Sequence, residues 1–202
     1  MKIAIIGAGN VGATLGRRFD EIGHEVSYGV RDPAGYDPRA LRGRVCTIAE
    51  ACQGAEIIVL AVPYDAVKGA ILSCGDVSGR IVLDATNPLG MTSNGLGLTL
   101  GFETSGGEKL QELVPSAMVV KCFNTTGFGN MAKPDGSMMF ACGNDNQATD
   151  TVTGLAAAIG FDAINIGGLS RSRLLEPLAM LWIHLAFTSE LKRDFAFAIQ
   201  RR

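Results

Sequence analysis

The chain is short of nearly everything that metal or acid–base chemistry requires. Its 202 residues include two histidines, His24 and His184, with no ligand spacing around them, so a metal held by protein side chains is not expected. The five cysteines (Cys46, Cys52, Cys74, Cys122 and Cys142) are odd in number and contain no C-x-x-C pair. That pattern points to reduced thiols in a cytoplasmic protein rather than to a disulfide framework. An excess of positive charge is also missing. Eighteen Lys and Arg against 20 Asp and Glu give a net charge of −2. With neither a basic face nor a polybasic cluster, nucleic acid and membrane surfaces are not expected partners. Long apolar runs are absent as well. The first apolar stretch is broken by glycines and has no cleavage site, unlike a signal peptide. The segment Leu174–Phe187 is interrupted by Glu176, Pro177 and His184 and is too short to span a bilayer. No internal repeat or low-complexity linker divides the chain.

What the chain does have is a glycine triplet in a defined setting. Ile3 to Ile6 form a short apolar run that suits a buried parallel strand. Gly7, Gly9 and Gly12 follow in G-x-G-x-x-G spacing, and Val11, Leu15, Phe19 and Ile22 then recur at helical spacing. In a strand–turn–helix of this kind the first glycine permits the tight turn. The second lets a pyrophosphate approach the backbone, and the third lets helix and strand pack closely. The helix N-terminus offers free N–H groups and a positive dipole end to the phosphates. With 26 glycines in the chain, it is the flanking strand and helix that make Gly7, Gly9, Asn10, Val11 and Gly12 a candidate cofactor site.

Strand-like and helix-like segments alternate along most of the chain. Strands are expected at 2–6, 25–28, 57–61, 81–84, 119–122, 137–141 and 163–166, and helices at 11–22, 48–52, 64–72, 107–114 and 148–159. The alternation predicts an α/β, Rossmann-type doubly wound fold, with a mostly parallel sheet covered by helices on both faces. The Gly- and Ser-rich stretch 88–107 reads as a loop. After Ser170, the residues Leu174, Leu175, Leu178, Leu181, Trp182 and Leu185 form an apolar stripe at helical spacing. The organisation expected is a dinucleotide-binding domain over residues 1–169. A C-terminal helical segment, 170–202, would pack on it or at a homodimer interface, with His184 as a packed core or interface histidine.

The second strand selects the nucleotide. An acidic residue at its tip would bind the ribose hydroxyls of NAD. Here the strand ends Val26-Ser27-Tyr28-Gly29-Val30 and Arg31 follows, nineteen residues after Gly12. A guanidinium at that place can make a forked, charged contact with a 2′-phosphate, so NADP is expected. The alternative for Arg31 is a solvated turn residue beside Asp32-Pro33; Asp32 is expected to start that turn, the alternative being a contact with a ribose hydroxyl.

Other strands end in chemically useful groups on the same expected edge. Ala61, Val62 and Pro63 give an apolar wall. Asn87-Pro88 and Asn124-Thr125 give amides and a hydroxyl suited to a nicotinamide, or alternatively a turn and a loop cap. Lys121 and Cys122 fall inside a strand and read as structural. No side chain is assigned a catalytic role.

Taken together, these residues resemble a known family, the coenzyme F420-dependent NADP oxidoreductases. The marks are Gly-Ala-Gly-Asn-Val-Gly at 7–12, Arg31, Ala-Val-Pro at 61–63, Asn-Pro-Leu at 87–89, Val-Val-Lys-Cys-Phe-Asn-Thr at 119–125 and Leu-Ser-Arg-Ser-Arg-Leu-Leu-Glu-Pro-Leu at 169–178. The NADP-binding domains of the STEAP ferric reductases resemble the same core. The resemblance implies hydride transfer between NADPH and a deazaflavin or flavin-type ring, with the rings carrying the electronic chemistry. It implies that Asn124 and Thr125 border the nicotinamide. It also implies that Asn124 and Arg173, within 170–176, border the second substrate. The alternative for Arg173 is an ion pair with Glu176, three residues on. Archaeal members resemble one another in having His in place of Asn124, and hydroxyl residues in place of Pro177 and Ala179. Two other readings stand beside this one. A non-catalytic NADP-binding sensor needs no further residues. A small imine or carbonyl reductase of the pyrroline-carboxylate reductase kind would add a large helical domain, whereas 32 residues follow Ser170.

Overall fold

The computed structural model describes residues 1–36, 41–93 and 95–202. Among these the strands are β1 (Lys2–Ile6), β2 (Glu25–Val30), β3 (Arg44–Thr47), β4 (Ile57–Leu60), β5 (Ile81–Asp84), β6 (Leu89–Thr92), β7 (Gly95–Leu98), β8 (Met118–Lys121), β9 (Met138–Gly143) and β10 (Asp162–Asn165). The helices are α1 (Asn10–Glu21), α2 (Ile48–Cys52), α3 (Val67–Ser73), α4 (Gly106–Leu113), α5 (Phe128–Ala132), α6 (Asn146–Ala158) and α7 (Ser172–Thr188).

Eight strands make one sheet in the order β10-β9-β8-β5-β4-β1-β2-β3. From β3 to β8 every pair is parallel. β9 then meets β8 antiparallel, and β10 runs parallel to β9. This is the doubly wound, mostly parallel sheet expected, with its last two strands reversed. Consecutive side chains of a strand point to opposite faces, and β1 shows what that does. Ile3 and Ile5 enter a core shared with Leu15, Phe19 and Val152, while Ala4 and Ile6 enter a second core with Ile71 and Leu110. Both layers are apolar, which is why the central strands carry unbroken Ile, Val and Leu runs.

Helix ends follow local chemistry. Thr47 and Glu50 form a reciprocal capping box at the start of α2, and that helix keeps its expected bounds. Ser105 caps α4 through the Glu108 N–H, and Asp145 caps α6 through Ala148.

Three expectations are corrected. The stretch 88–107 is not simply a loop: it holds the antiparallel hairpin β6–β7, with Asn94 outside the described residues. β3 and the five-residue α5 add elements that periodicity did not announce. On α7 the buried face is Ser172, Leu175, Glu176, Ala179, Trp182 and Ala186. Leu174 and Leu181 instead face outward, and His184 is exposed in the chain rather than packed in its core. No described helix is long and apolar enough to cross a membrane.

Candidate functional site

β1 ends at Ile6, and Gly7 turns the chain with a φ of 99°, a value open to glycine. Its N–H donates to the Gly29 carbonyl at 3.0 Å, tying the turn to β2. The N-cap of α1 is Gly9, which provides no side-chain acceptor, and the first turn contains no acidic residue. The positive end of this helix is therefore left for an external anion. Gly12 is buried beneath the turn, and a Cβ there would strike the Gly7 carbonyl oxygen. Gly9 faces open space, with nothing within 4 Å of where its Cβ would stand. Asn10 is exposed, and Val11 packs partly against the core.

This turn forms one wall of a cavity of about 500 Å³. Gly7, Gly9, Arg31, Ala61, Val62 and Pro63 all line it. Six residues chosen from three separate strand ends thus meet in one place. Arg31 directly follows β2. The neighbouring carboxylate is turned away, because Asp32 accepts the Ala34 N–H at 3.1 Å and caps the short turn Pro33–Gly35. Asp32 is the turn-starter expected, and the strand tip presents a cation alone. Sequence reasoning missed Tyr36, Ile48, Asp65 and Ser73, which are among the other residues lining the cavity; they belong to segments with no motif to mark them. An uncapped helix end, an open Gly9 and a guanidinium around one cavity fit a phosphorylated dinucleotide. Among the described residues, a larger depression, about 590 Å³, lies near the start of β8 and is lined by three carboxylates, Glu108, Glu112 and Asp145, with no Lys or Arg, whereas the first cavity sets a single carboxylate, Asp65, against Arg31.

Farther along the same sheet edge, past β4, come the ends of β5 and β8. Asn87 and Asn124 meet there. Asn124 Nδ2 donates to Asn87 Oδ1 at 2.9 Å, and Asn87 Nδ2 donates to the Asn124 carbonyl at 2.9 Å. The turn that presents Asn124 is unusual: Phe123 has a φ of 63°, while its ring packs edge-on against Phe19 and Phe161. A bulky residue in the left-handed region costs about 1–3 kcal/mol and persists where packing over-determines it. Asn124 is 5% exposed, and its Oδ1 is buried with no hydrogen-bond partner among the described residues. Such an atom carries a penalty of about 1–3 kcal/mol unless something donates to it. The two sequence readings therefore combine. The amides hold the loop together and leave one acceptor over. Thr125 is buried beside them in sequence.

Behind this pair sits a buried charge cluster. Lys121 Nζ lies 2.7 Å from Asp84 Oδ2, 2.8 Å from Glu176 Oε1 and 2.9 Å from the Thr86 carbonyl. Burial disfavours the ammonium, but the two carboxylates outweigh it, and Lys121 is held above the ordinary lysine range. Asp84 Oδ1 accepts from the Thr86 N–H and hydroxyl, so the cluster sets the residue just before Asn87. Glu176 accepts the Gly106 and Gly107 N–H groups at 3.0 and 3.2 Å, capping α4 from α7. Glu176 is thus not the partner of Arg173. Arg173 instead forks onto Glu108, with Nε and Nη2 at 2.9 and 2.6 Å, and this hydrogen bonding holds the Glu108 carboxyl below its usual range. Cys122 is fully buried and its thiol is pushed up by desolvation, as suits a core residue.

Known proteins resemble this chain. The family model described as "NADP oxidoreductase coenzyme F420-dependent" matches residues 2–88. A solved structure from Arthrobacter sp. FB24, described as a candidate F420-dependent NADP-reductase, is 31% identical; the match covers 100% of both chains with a TM-score of 0.89. The F420-dependent NADP reductase of Methanothermobacter thermautotrophicus is 27% identical, over 95% of this chain and 92% of that protein. Metalloreductase STEAP3 of Rattus norvegicus is 30% identical over 89% of this chain, which spans 37% of that longer protein. Full-length similarity of this order, joined to a glycine turn facing an arginine rather than an acid, leaves one assignment: the chain belongs to the F420-dependent NADP oxidoreductase family.

Proposed function

We propose that the protein binds NADP(H) along the carboxyl edge of its sheet and moves a hydride between the nicotinamide and a deazaflavin or flavin-type ring. The observation that carries this reading is the order of features on that edge. Arg31 stands at β2, the uncapped α1 end at β1, the wall of Ala61, Val62 and Pro63 at β4, and the buried, unpartnered Asn124 Oδ1 beyond β8. A dinucleotide laid across them would put its 2′-phosphate at Arg31 and its pyrophosphate over Gly9. Its carboxamide N–H would lie where Asn124 Oδ1 lacks a donor. The nicotinamide supplies the hydride, and the protein supplies orientation and exclusion of water. Lys121 is locked between carboxylates and Cys122 is buried with a raised pKa, so neither is a proton donor, and ring-to-ring transfer asks for none. Arg173, engaged by Glu108, would border the acceptor through the helix it anchors.

Arg31→Ala is expected to weaken NADPH binding by about 1.5–3 kcal/mol, the scale of a charged hydrogen bond, and to leave NADH binding nearly unchanged. Titration of both nucleotides checks this, and equal losses would remove the NADP assignment. The activity itself is tested by NADPH oxidation with the deazaflavin coenzyme beside FMN, FAD and ferric chelates. Tight NADPH binding without turnover on any of them would favour a sensor. A homodimer in the cytoplasm is the proposed form. Leu174, Leu181 and Phe187 lie exposed on α7, and light scattering should return twice the mass of one chain.

A further inference from the structure

The loop that presents Asn124 is gripped on its far side as well. It leaves β8 after Lys121, carries Phe123 through its left-handed turn and enters α5 at Gly127. Met131 roots α5 in the same core as Phe123. Asn130 stands just before it and uses both protons of its amide. Nδ2 donates to Thr126 Oγ1 at 2.7 Å and to the Phe195 carbonyl at 2.7 Å. The first bond closes the loop onto α5, and the second ties α5 to the segment after α7. That segment is itself strapped down. The Phe195 carbonyl also accepts from Trp182 Nε1 at 3.2 Å, and the two rings stack with centroids 5.3 Å apart. Two residues on, the Phe197 carbonyl accepts the Met138 N–H at 2.9 Å, and Arg201 pairs with Asp162 at 2.6 Å. Trp182 also presses on the loop directly, since a Cβ on Gly127 would strike its ring.

We propose that Asn130 is a positioning residue for the nicotinamide end of the site: with Thr126 and the strap at Phe195, it holds the Asn124 loop in its working conformation. Strain at Phe123 is the reason a hold is needed. A phenylalanine with a φ of 63° stays in that region only where its surroundings fix it. Asn124 is the next residue, so any relaxation of the Phe123 backbone swings the amide. On the inner side, the two bonds between Asn87 and Asn124 resist that motion. On the outer side, the resistance comes through Thr126, two residues after Asn124, whose hydroxyl is bonded to Asn130.

The hold has a functional consequence. Hydride transfer requires the donor ring to be kept within a narrow range of geometry. Asn124 Oδ1, buried without a donor, fixes a carboxamide only while the loop keeps it in place. The expected effect on NADPH rests on the reading of Asn124 as the nicotinamide contact; the clamp on the loop does not.

The test uses the whole chain and two ligands. NADPH carries the nicotinamide, and 2′,5′-ADP carries only the adenine and phosphate end. Asn130→Leu keeps the bulk and removes both donors. It should weaken NADPH about three- to tenfold, the loss of one misplaced neutral hydrogen bond, and leave 2′,5′-ADP within about twofold of wild type. Thr126→Val should reproduce this split, and it carries the same comparison should Asn130→Leu fail to fold. Thr126→Ser keeps the hydroxyl and should restore NADPH binding. Adding Thr126→Val to Asn130→Leu should change little further, because the Thr126 bond is already gone. Amide hydrogen exchange on the nucleotide-free protein should speed up over residues 123–127 in both variants. Unchanged exchange there, or equal weakening of the two ligands, would overturn the positioning role in favour of a merely structural one. Asn124→Ala separates this inference from the reading beneath it. If Asn124→Ala loses NADPH affinity and Asn130→Leu does not, the positioning role is overturned. If neither loses it while exchange rises, the nicotinamide is not at Asn124; its placement falls, the role of Asn130 in it falls too, and only the clamp on the loop stands.

Discussion

Lys121→Met should cost about 3–5 kcal/mol of folding stability, the penalty for removing one partner from a buried ion pair. The side chain is one atom shorter and loses its charge, so the change is mainly electrostatic. Asp84 and Glu176, each 1% exposed, would face one another with no ammonium between them. Neither can swing to solvent, because Asp84 is bound to Thr86 and Glu176 to the N–H groups that open α4. Domains of this size are stable by about 5–15 kcal/mol, so the loss is a large share of the total. Urea unfolding measures it. The pH dependence gives a second readout with a definite sign. In the wild type the folded pKa of Lys121 lies above its ordinary 10.5. Its contribution is therefore complete at neutral pH and is lost only as pH rises through that folded value. Adding Asp84→Asn and Glu176→Gln to Lys121→Met should recover part of the loss, because a neutral polar cluster avoids the uncompensated charge. A variant as stable as wild type at pH 7 would show that the cluster is solvated despite its burial.

This cluster also marks where sequence reading stopped. Lys121 could be placed in a strand, and a structural role followed from its burial there. Its partners could not be found, since Asp84 and Glu176 come from a strand and a helix far away in the chain, and no local pattern links them. The glycine turn was legible for the opposite reason. Ile3–Ile6, Gly7, Gly9, Gly12 and Arg31 act through backbone geometry within one β–α–β stretch, where spacing alone fixes position. The mostly parallel sheet was equally legible, because its central strands are buried on both faces and read as unbroken apolar runs. The elements that escaped lie where that signal fades. β3 is an edge strand of four residues, Arg44–Thr47, and the β6–β7 hairpin is built on Gly90, Gly95 and Gly97 with Met91 exposed. Neither shows an alternation that sets it apart from loop. On α7, composition suggested a stripe through Leu174 and Leu181, whereas the buried face includes Glu176. A charged residue that is buried to meet Lys121 inverts the usual inside–outside inference. The Asn87–Asn124 pair was half legible: strand-end positions brought the amides to one edge, but only the fold shows that each supports the other while one oxygen is left over.

Gly12→Ala and Gly9→Ala separate folding from binding at the turn where the nucleotide is proposed to lie. The Gly12 Cβ has no room: it would meet the Gly7 carbonyl oxygen and stand 3.0 Å from the Gly7 carbonyl carbon. Gly7 cannot retreat easily, because its φ of 99° and its bond to the Gly29 carbonyl fix that peptide. The added methyl must push α1 off β1, at about 1–3 kcal/mol for overpacking a close contact. The N–H groups at the start of α1 move with it. Loss of one or two charged hydrogen bonds to the pyrophosphate would cost a further 2–4 kcal/mol or so of NADPH affinity. Gly12→Ala should therefore lower both the unfolding free energy and nucleotide binding. Gly9→Ala should behave differently, since no protein atom lies within 4 Å of the new methyl. Its stability should stay within about 0.5 kcal/mol of wild type, as for a substitution with no contacts. Its NADPH affinity should nonetheless fall, because the methyl would occupy the space through which the pyrophosphate reaches the helix end. Denaturant midpoints and NADPH titrations on the two variants give four numbers. If Gly9→Ala bound NADPH as tightly as wild type, the phosphates would not lie over this turn, whatever Gly12→Ala did to the fold.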